Sequence, residues 1–369
     1  MNISFIHTAD IHIGKKFNVN FNSGEGKKRR REIWETFDKI IEVCIRNNVE
    51  FLLIAGDLVD AKHCTLDDMK RLSSKFSEAR NTEIIITTGN RDPYTTYSLY
   101  RFIDWPSNVH IIDTTNQIRQ IDFADKNLCV FSVGLDLKDK QKERTCLYDI
   151  EVNPSNINIL LAHGDIFGND TEDVKIDISR IESKFDYVAL GHIHQYTEYS
   201  ERIIYPGTPE PLDFSEKGQH GIVFCKLDKA GIEKVFVPTA KSRFISKEIF
   251  LQQDFSYDKI LDIIKFSGDY ISASKDYYRI ILTGKVDMAI DMNRLKTEAS
   301  SFFQYIEFVD DYLFHIDYDY WIEENDDNII GQYFKQFKAS GEENLNRQKS
   351  LLLGLSVLLN EKGRMTDGN

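Results

Sequence analysis

Seven side chains in this sequence suit hard or borderline metal ions, and each stands just past a short apolar run: Asp10, His12, Asp57, Asn90, His163, His192 and His194. They occur as Asp10-x-His12, Gly56-Asp57, Gly89-Asn90, His163-Gly164 and Gly191-His192-x-His194. Carboxylates, imidazoles and one amide, with no thiolate, suit Mn(II), Fe(II), Zn(II) or a mixed pair. A catalytic ion keeps open positions for its substrate, so this set is too large for one ion and suits two that share a bridge. Asp57 is the expected bridge, because a carboxylate has two oxygens and this one leaves the central strand. Two divalent ions about 3.5–4 Å apart clamp a phosphate for in-line displacement and lower the pKa of a bridging water. The ligand set therefore implies a phosphoester hydrolase. A lone His or Asp after a strand is most often structural or solvated; the recurrence at five strand ends argues otherwise. His7, His63, His110, His220 and His315 fall outside the pattern and read as surface or core histidines.

The elements that must hold these residues are legible as apolar runs. Phe51–Ala55 has no polar interruption, as a strand covered on both faces reads. Its end at Gly56-Asp57 lies at a sheet edge, where open α/β sheets bind ligands. Further strands are expected at 3–9, 83–88, 109–113, 118–123, 128–134, 158–162 and 185–190, then as hairpins at 202–205, 221–227 and 232–237. Helices are expected after Arg31, over 65–80 and near 96–104. In the first of these, Ile33, Trp34, Phe37, Ile40, Ile41, Cys44 and Ile45 recur at three- and four-residue intervals. Beyond Ser242 the pattern alternates: strand 244–250, helix 256–266, strand 277–283, helix 291–303, strand 306–316. Helices at 328–337 and 343–359 follow. The last has more apolar residues than one solvated helix face needs.

With 41% hydrophobic and 28% charged residues, the composition is that of an ordinary globular protein. No apolar run approaches the ~20 residues of a membrane span, and no basic segment followed by an apolar core marks a signal peptide. Five scattered cysteines without a Cys-x-x-Cys pair argue against a disulfide framework or thiolate zinc site, and fit a reducing cytoplasm. The net charge of −13 counts against a protein that simply coats a polyanion, yet the charge is uneven. Lys15 to Arg31 holds seven basic residues (Lys15, Lys16, Lys27, Lys28, Arg29, Arg30 and Arg31) and one acidic, Glu25. Glu307 to Asp327 holds nine acidic residues and no Lys or Arg, reading as a linker or solvated edge. The basic run is a candidate DNA contact; plain solvation is the alternative.

The motifs Asp10-x-His12, Gly56-Asp57-x-x-Asp60, Gly89-Asn90-x-Asp92, His163-Gly164 and Gly191-His192-x-His194 resemble, in order, the signature of calcineurin-like metallophosphoesterases. His7–Gly14, Leu53–Asp60 and Tyr205–Phe214 resemble its SbcD-type DNA repair nucleases. The resemblance covers residues 1–240 and weakly 241–320. It implies an α/β fold: a metallophosphoesterase β-sandwich flanked by helices (1–240), a small α+β capping domain that positions DNA (241–320), and an acidic linker with C-terminal helices (321–369). It implies two divalent ions, Mn(II) in this family. Asp10, His12, Asp57 and His194 would hold one, and Asp57, Asn90, His163 and His192 the other. It also implies DNA ends or hairpins as substrate, an SbcC-like coiled-coil ATPase docking on the last helices, and a possible homodimer. Arg91 stands where the family has a histidine beside the scissile phosphate, followed by Asp92, and both are candidate catalytic residues. An arginine cannot act as a general acid at neutral pH, though it still binds phosphate. Three readings stay open: a two-metal DNA nuclease, a metal-holding DNA-end or partner scaffold whose chemistry Arg91 suppresses, and a phosphodiesterase for a small nucleotide.

Overall fold

The computed structural model describes residues 2–17, 23–114, 117–134, 145–168, 175–287, 290–341 and 344–366. They divide into two compact units, Met1–Arg243 and Phe244–Asn369.

The first unit contains strands β1 (Ile3–Thr8), β2 (Phe51–Ala55), β3 (Glu83–Thr87), β4 (Val109–Ile111), β5 (Arg119–Phe123), β6 (Leu128–Ser132), β7 (Ile157–His163), β8 (Tyr187–Gly191), β9 (Thr197–Glu198), β10 (Ile203–Tyr205), β11 (Gly221–Asp228) and β12 (Gly231–Pro238). Its helices are α1 (Ser23–Arg46) and α2 (Leu66–Glu78). One sheet runs β12-β11-β1-β2-β3-β4 and the other β5-β6-β7-β8-β10-β9. β1 to β4 are mutually parallel, as are β6, β7, β8 and β10, so their carboxyl ends point one way within each sheet.

The two sheets pack face to face. Side chains alternate along a strand, and β2 shows why its run has no polar gap. Phe51, Leu53 and Ala55 enter the core between the sheets, while Leu52 and Ile54 meet Ile33, Phe37 and Leu72 of α1 and α2. The outer face of the second sheet is covered by Leu147, Ile176, Ile178 and Ile181 from loop segments. The protein is thus mixed α/β, with a two-sheet sandwich flanked by helices, as expected. Thr65 caps α2 reciprocally with Asp68.

Two local expectations shift. Lys27 to Arg31 do not precede the first helix but lie inside it, since α1 starts at Ser23. The helix expected at 96–104 shrinks to a single 3₁₀ turn, Leu99–Phe102, because Pro106 disfavours helical backbone at Trp105 and Tyr100 is tied down by its hydroxyl.

In the second unit, β13 (Phe244–Leu251), β14 (Tyr277–Val286) and β15 (Tyr305–Phe314) form a parallel sheet in that order. Parallel neighbours require crossovers, supplied by α3 (Tyr257–Lys265), α4 (Tyr270–Ala273) and α5 (Met292–Ala299). The acidic stretch read as a linker contains a helix, α6 (Tyr318–Glu323), capped by Asp317. Trp321 stacks on Phe334 of α7 (Ile329–Ala339) at 5.0 Å. The last helix is α8 (Leu345–Thr366); Glu343, where it was expected to begin, lies outside the described residues. Among the described residues, no helix is long and apolar enough to cross a membrane.

Candidate metal centre

The site is built where β1, β2, β3, β7 and β8 end. Among the described residues six non-glycines have positive φ, and four belong to the expected ligand set: Asp10 (52°), His12 (55°), Asp57 (52°) and His192 (105°). Left-handed backbone costs an ordinary residue about 1–3 kcal/mol and persists where the surroundings over-determine it. Here the surroundings are visible. Asp10 N donates to Gly56 O (3.1 Å), His12 N to Asp57 O (3.0 Å) and Ile13 N to Leu58 O (3.0 Å). The loop after β1 is thereby zipped to the loop after β2. A Cβ on Gly89, after β3, would overlap the Asp57 carboxylate, so this backbone passes too close for any larger residue.

The side chains converge. His12 Nε2 faces His194 Nε2 at 3.3 Å. Asp57 Oδ2 lies 3.8 Å from both His12 Nε2 and His163 Nε2, between the two imidazoles. Asp10 Oδ1 is 4.0 Å from His194 Nε2, and its other oxygen accepts from the His192 amide at 2.9 Å. The His163 and His192 rings meet edge to face at 5.3 Å. Two groups have donor atoms all within 4.8 Å of one another: Asp10, His12 and His194; and Asp10, Asp57 and His163. Asp10 belongs to both groups and Asp57 to the second. Asn90 is half-buried immediately after Gly89.

Several of these groups are aimed. His163 Nδ1 lies 2.8 Å from the carbonyl of Ala55, which can only accept, so Nδ1 carries the proton and Nε2 is the nitrogen turned to the site. Asp10 Oδ1 is buried with no hydrogen-bond partner among the described residues. Burial is the main reason the Asp10 carboxyl rises to about 6, offset in part by His194. Asp57 is driven well above the usual carboxylate range by burial and by the charges of Asp92 and Asp10. Burial holds His12 well below its usual value, helped by His194 and Lys15. A neutral His12 imidazole facing crowded, desolvated carboxylates makes a cavity that a divalent cation would stabilise. The donor set fits two divalent ions.

Arg91 is exposed; its amide donates to Asp57 Oδ1 at 2.7 Å, and its charge reaches Asp57 and His12. Asp92 differs from the expectation of a catalytic group. It is buried, and its two oxygens accept from the amides of Asp57 (3.1 Å), Val59 (3.3 Å) and Gly89 (2.6 Å) and from the Tyr100 hydroxyl (2.7 Å). With its lone pairs engaged, it positions the Asp57 loop rather than touching substrate.

Among the basic residues, Arg29 is a correction. It is fully buried on α1, bonded to Glu32, Glu210 (3.0 Å) and the Pro211 carbonyl, and cannot meet DNA. Lys16, Lys27, Arg30 and Arg31 are exposed, and Lys15 and Lys28 partly so. Sequence reasoning missed Glu216, whose Oε1 lies 2.6 Å from His194 Nδ1. No spacing rule points to it. His7 is a core residue, its Nδ1 3.0 Å from the Tyr187 hydroxyl.

Fold and site together fit a metal-dependent phosphoesterase. Residues 3–196, more than half of the chain, match the Calcineurin-like phosphoesterase family, and the chain belongs to it. It is 24% identical over 247 residues to the uncharacterized metallophosphoesterase YhaO of Bacillus subtilis (63% of this chain, 60% of that protein). It is 25% identical over 272 residues to the DNA double-strand break repair protein Mre11 of Methanopyrus kandleri (65% and 58%). The chain thus spans about 60% of the length of the curated relatives it matches. Similar solved structures include TT1561 of Thermus thermophilus (12% identity, 64% of this chain and 99% of that one, TM-score 0.40). A dimetal phosphatase from Danio rerio is another (11%, 63% and 98%, TM-score 0.36).

Proposed function

We propose that this chain is a two-metal phosphodiesterase acting on DNA ends or hairpins, an SbcD-like nuclease that uses Mn(II) and works with an SbcC-like ATPase. The convergence of Asp10, His12, Asp57, His163 and His194 within hydrogen-bonding and ion-pair distances carries the reading. The likeness to a DNA double-strand break repair protein turns it toward DNA. Asp10, His12, Asp57 and His194 would hold one ion; Asp57, Asn90, His163 and His192 the other. Bound there, the ions supply Lewis acidity and a water of lowered pKa. The chain's own part is to aim the donors: Asp92 fixes the Asp57 loop, and the Ala55 carbonyl sets the His163 tautomer. The exposed Lys16, Lys27, Arg30 and Arg31 would meet the phosphate backbone. The apolar residues exposed on α7 and α8, among them Ile329, Leu353 and Val357, would meet the ATPase.

A second reading rests on Arg91. It stands where the resemblance implies a histidine, and a guanidinium cannot protonate a leaving oxygen at neutral pH. The chain would then be a metal-holding scaffold for DNA ends. End-labelled duplex DNA with Mn(II), cut by the unmodified chain and by Arg91→His, separates the two. The nuclease reading expects cleavage by both, faster for the histidine variant. Cleavage by the variant alone would favour the scaffold. Cleavage by neither, with a small phosphodiester still hydrolysed, would defeat the DNA reading.

A further inference from the structure

Glu216 touches the centre without belonging to it. Its side chain is 7% exposed and both oxygens are engaged. Oε1 lies 2.6 Å from His194 Nδ1; Oε2 accepts from the Thr208 hydroxyl and the Leu212 amide, each at 2.8 Å. A carboxylate accepts, so Nδ1 donates to it and Nε2 is the ring nitrogen left to face an ion. That Nε2 is the atom facing His12 Nε2 at 3.3 Å and Asp10 Oδ1 at 4.0 Å.

The loop carrying Glu216 is itself fixed to the same residue. Thr208 N donates to the His194 carbonyl at 2.9 Å. Gly207, at φ 73°, passes so close that a Cβ would lie 2.6 Å from that carbonyl. Further along, Glu210 accepts from Arg29 (3.0 Å), Thr36 (2.7 Å) and the Lys241 amide (2.6 Å), anchoring the loop to α1. The carboxylate is therefore held in place before any ion arrives.

We propose that Glu216 is a positioning residue that holds His194 with Nε2 toward the ion shared with Asp10 and His12, and so sets the affinity of one metal position but not the other. The inference rests on the two-ion reading above. Groups that orient a metal-ligating histidine commonly contribute about 10–100-fold in metal affinity. The second position, at Asp57, His163 and His192, has its own orienting contact in the Ala55 carbonyl and does not depend on Glu216.

Calorimetric titration of the full chain with Mn(II) alone tests this, with unfolding midpoints measured alongside. The unmodified chain should bind two ions. Glu216→Ala should weaken one step by about 10–100-fold and leave the other within about twofold. Glu216→Gln, whose amide oxygen still accepts from Nδ1, should lose less than about tenfold in the same step; it decides the matter if the alanine variant does not fold. Two parent-like steps in folded Glu216→Ala would overturn the proposal while leaving the two-ion reading in place. Both steps weakening together with a lowered midpoint would overturn it in favour of a structural role. A parent that binds no Mn(II) would overturn the two-ion reading, and the proposal with it.

Discussion

His7, Asp10 and Asp57 are all buried titratable groups, but among the described residues one Asp10 oxygen has no hydrogen-bond partner, whereas both ring nitrogens of His7 have one. Asp10 and Asp57 crowd together with raised pKa values, the condition a cation relieves. His7 is a different case: one ring nitrogen meets the Tyr187 hydroxyl at 3.0 Å, the other the Leu190 carbonyl at 3.2 Å. Burial lowers it to about 3, against the opposing bond to Leu190. The consequence for stability has a definite sign. Below its ordinary value of 6.5 the unfolded chain takes up a proton on His7 that the folded protein refuses, so lowering the pH favours unfolding. The stability is fully present above pH 6.5 and is lost as the pH falls toward about 3. One such group contributes about 1.4 kcal/mol per pH unit in that window. His7→Gln should therefore flatten the urea-unfolding stability of Met1–Arg243 between pH 6 and pH 4 by about that slope. Identical slopes in parent and variant would show that His7 titrates in the folded state.

At the scale of elements, the site depends on two loops meeting without room to spare. Gly89 opens the loop after β3 where a Cβ would overlap the Asp57 carboxylate, and its amide is held by Asp92. Gly89→Ala should displace Asp57 and abolish Mn(II) binding by calorimetry while most of the helical circular dichroism survives; parent-like binding would mean that the loop yields. The ligand loops were legible in the sequence because a strand covered on both faces leaves an uninterrupted apolar run, and its end is easy to locate. What lies beyond such an end was less legible. The inward turn of Asp92 and the reach of Glu216 to His194 join segments with no shared periodicity. Arg29 was hidden differently, by neighbours of its own type. Yet it shares the face of Ile33, Thr36 and Ile40 at helical spacing, and carrying the apolar stripe one turn upstream would have placed it inward. Removing one partner of a buried ion pair costs about 3–5 kcal/mol, whereas exposed substitutions stay within about 0.5 kcal/mol. Arg29→Ala should lose stability on that scale in chemical denaturation. Arg30→Ala and Arg31→Ala should not, but should weaken DNA binding and flatten its salt dependence. A DNA-specific defect in a fully stable Arg29→Ala would reverse this division.

For the molecule as a whole, the question is how much of it the metal centre requires. The three apolar clusters of the sandwich draw only on residues before Arg243, and the two remaining clusters only on residues after it. Every candidate ligand, together with Asp92 and Glu216, lies in the first unit. A unit with its own core and no ligand borrowed from elsewhere should fold by itself. Residues 1–243 expressed alone should thus unfold in one cooperative step and bind Mn(II) with the affinities of the full chain. The full chain should show a second step from the unit beginning at Phe244. The sandwich has the larger share of buried side chains, so the second unit should be the first to unfold on heating. If the reading of residues 241–320 as a DNA-positioning domain holds, the fragment should still hydrolyse a small phosphodiester with Mn(II) and lose preference for duplex ends. Loss of metal binding in a folded fragment would mean that the second unit contributes to the centre. Undiminished preference for DNA ends would place substrate recognition within the sandwich and its basic helix.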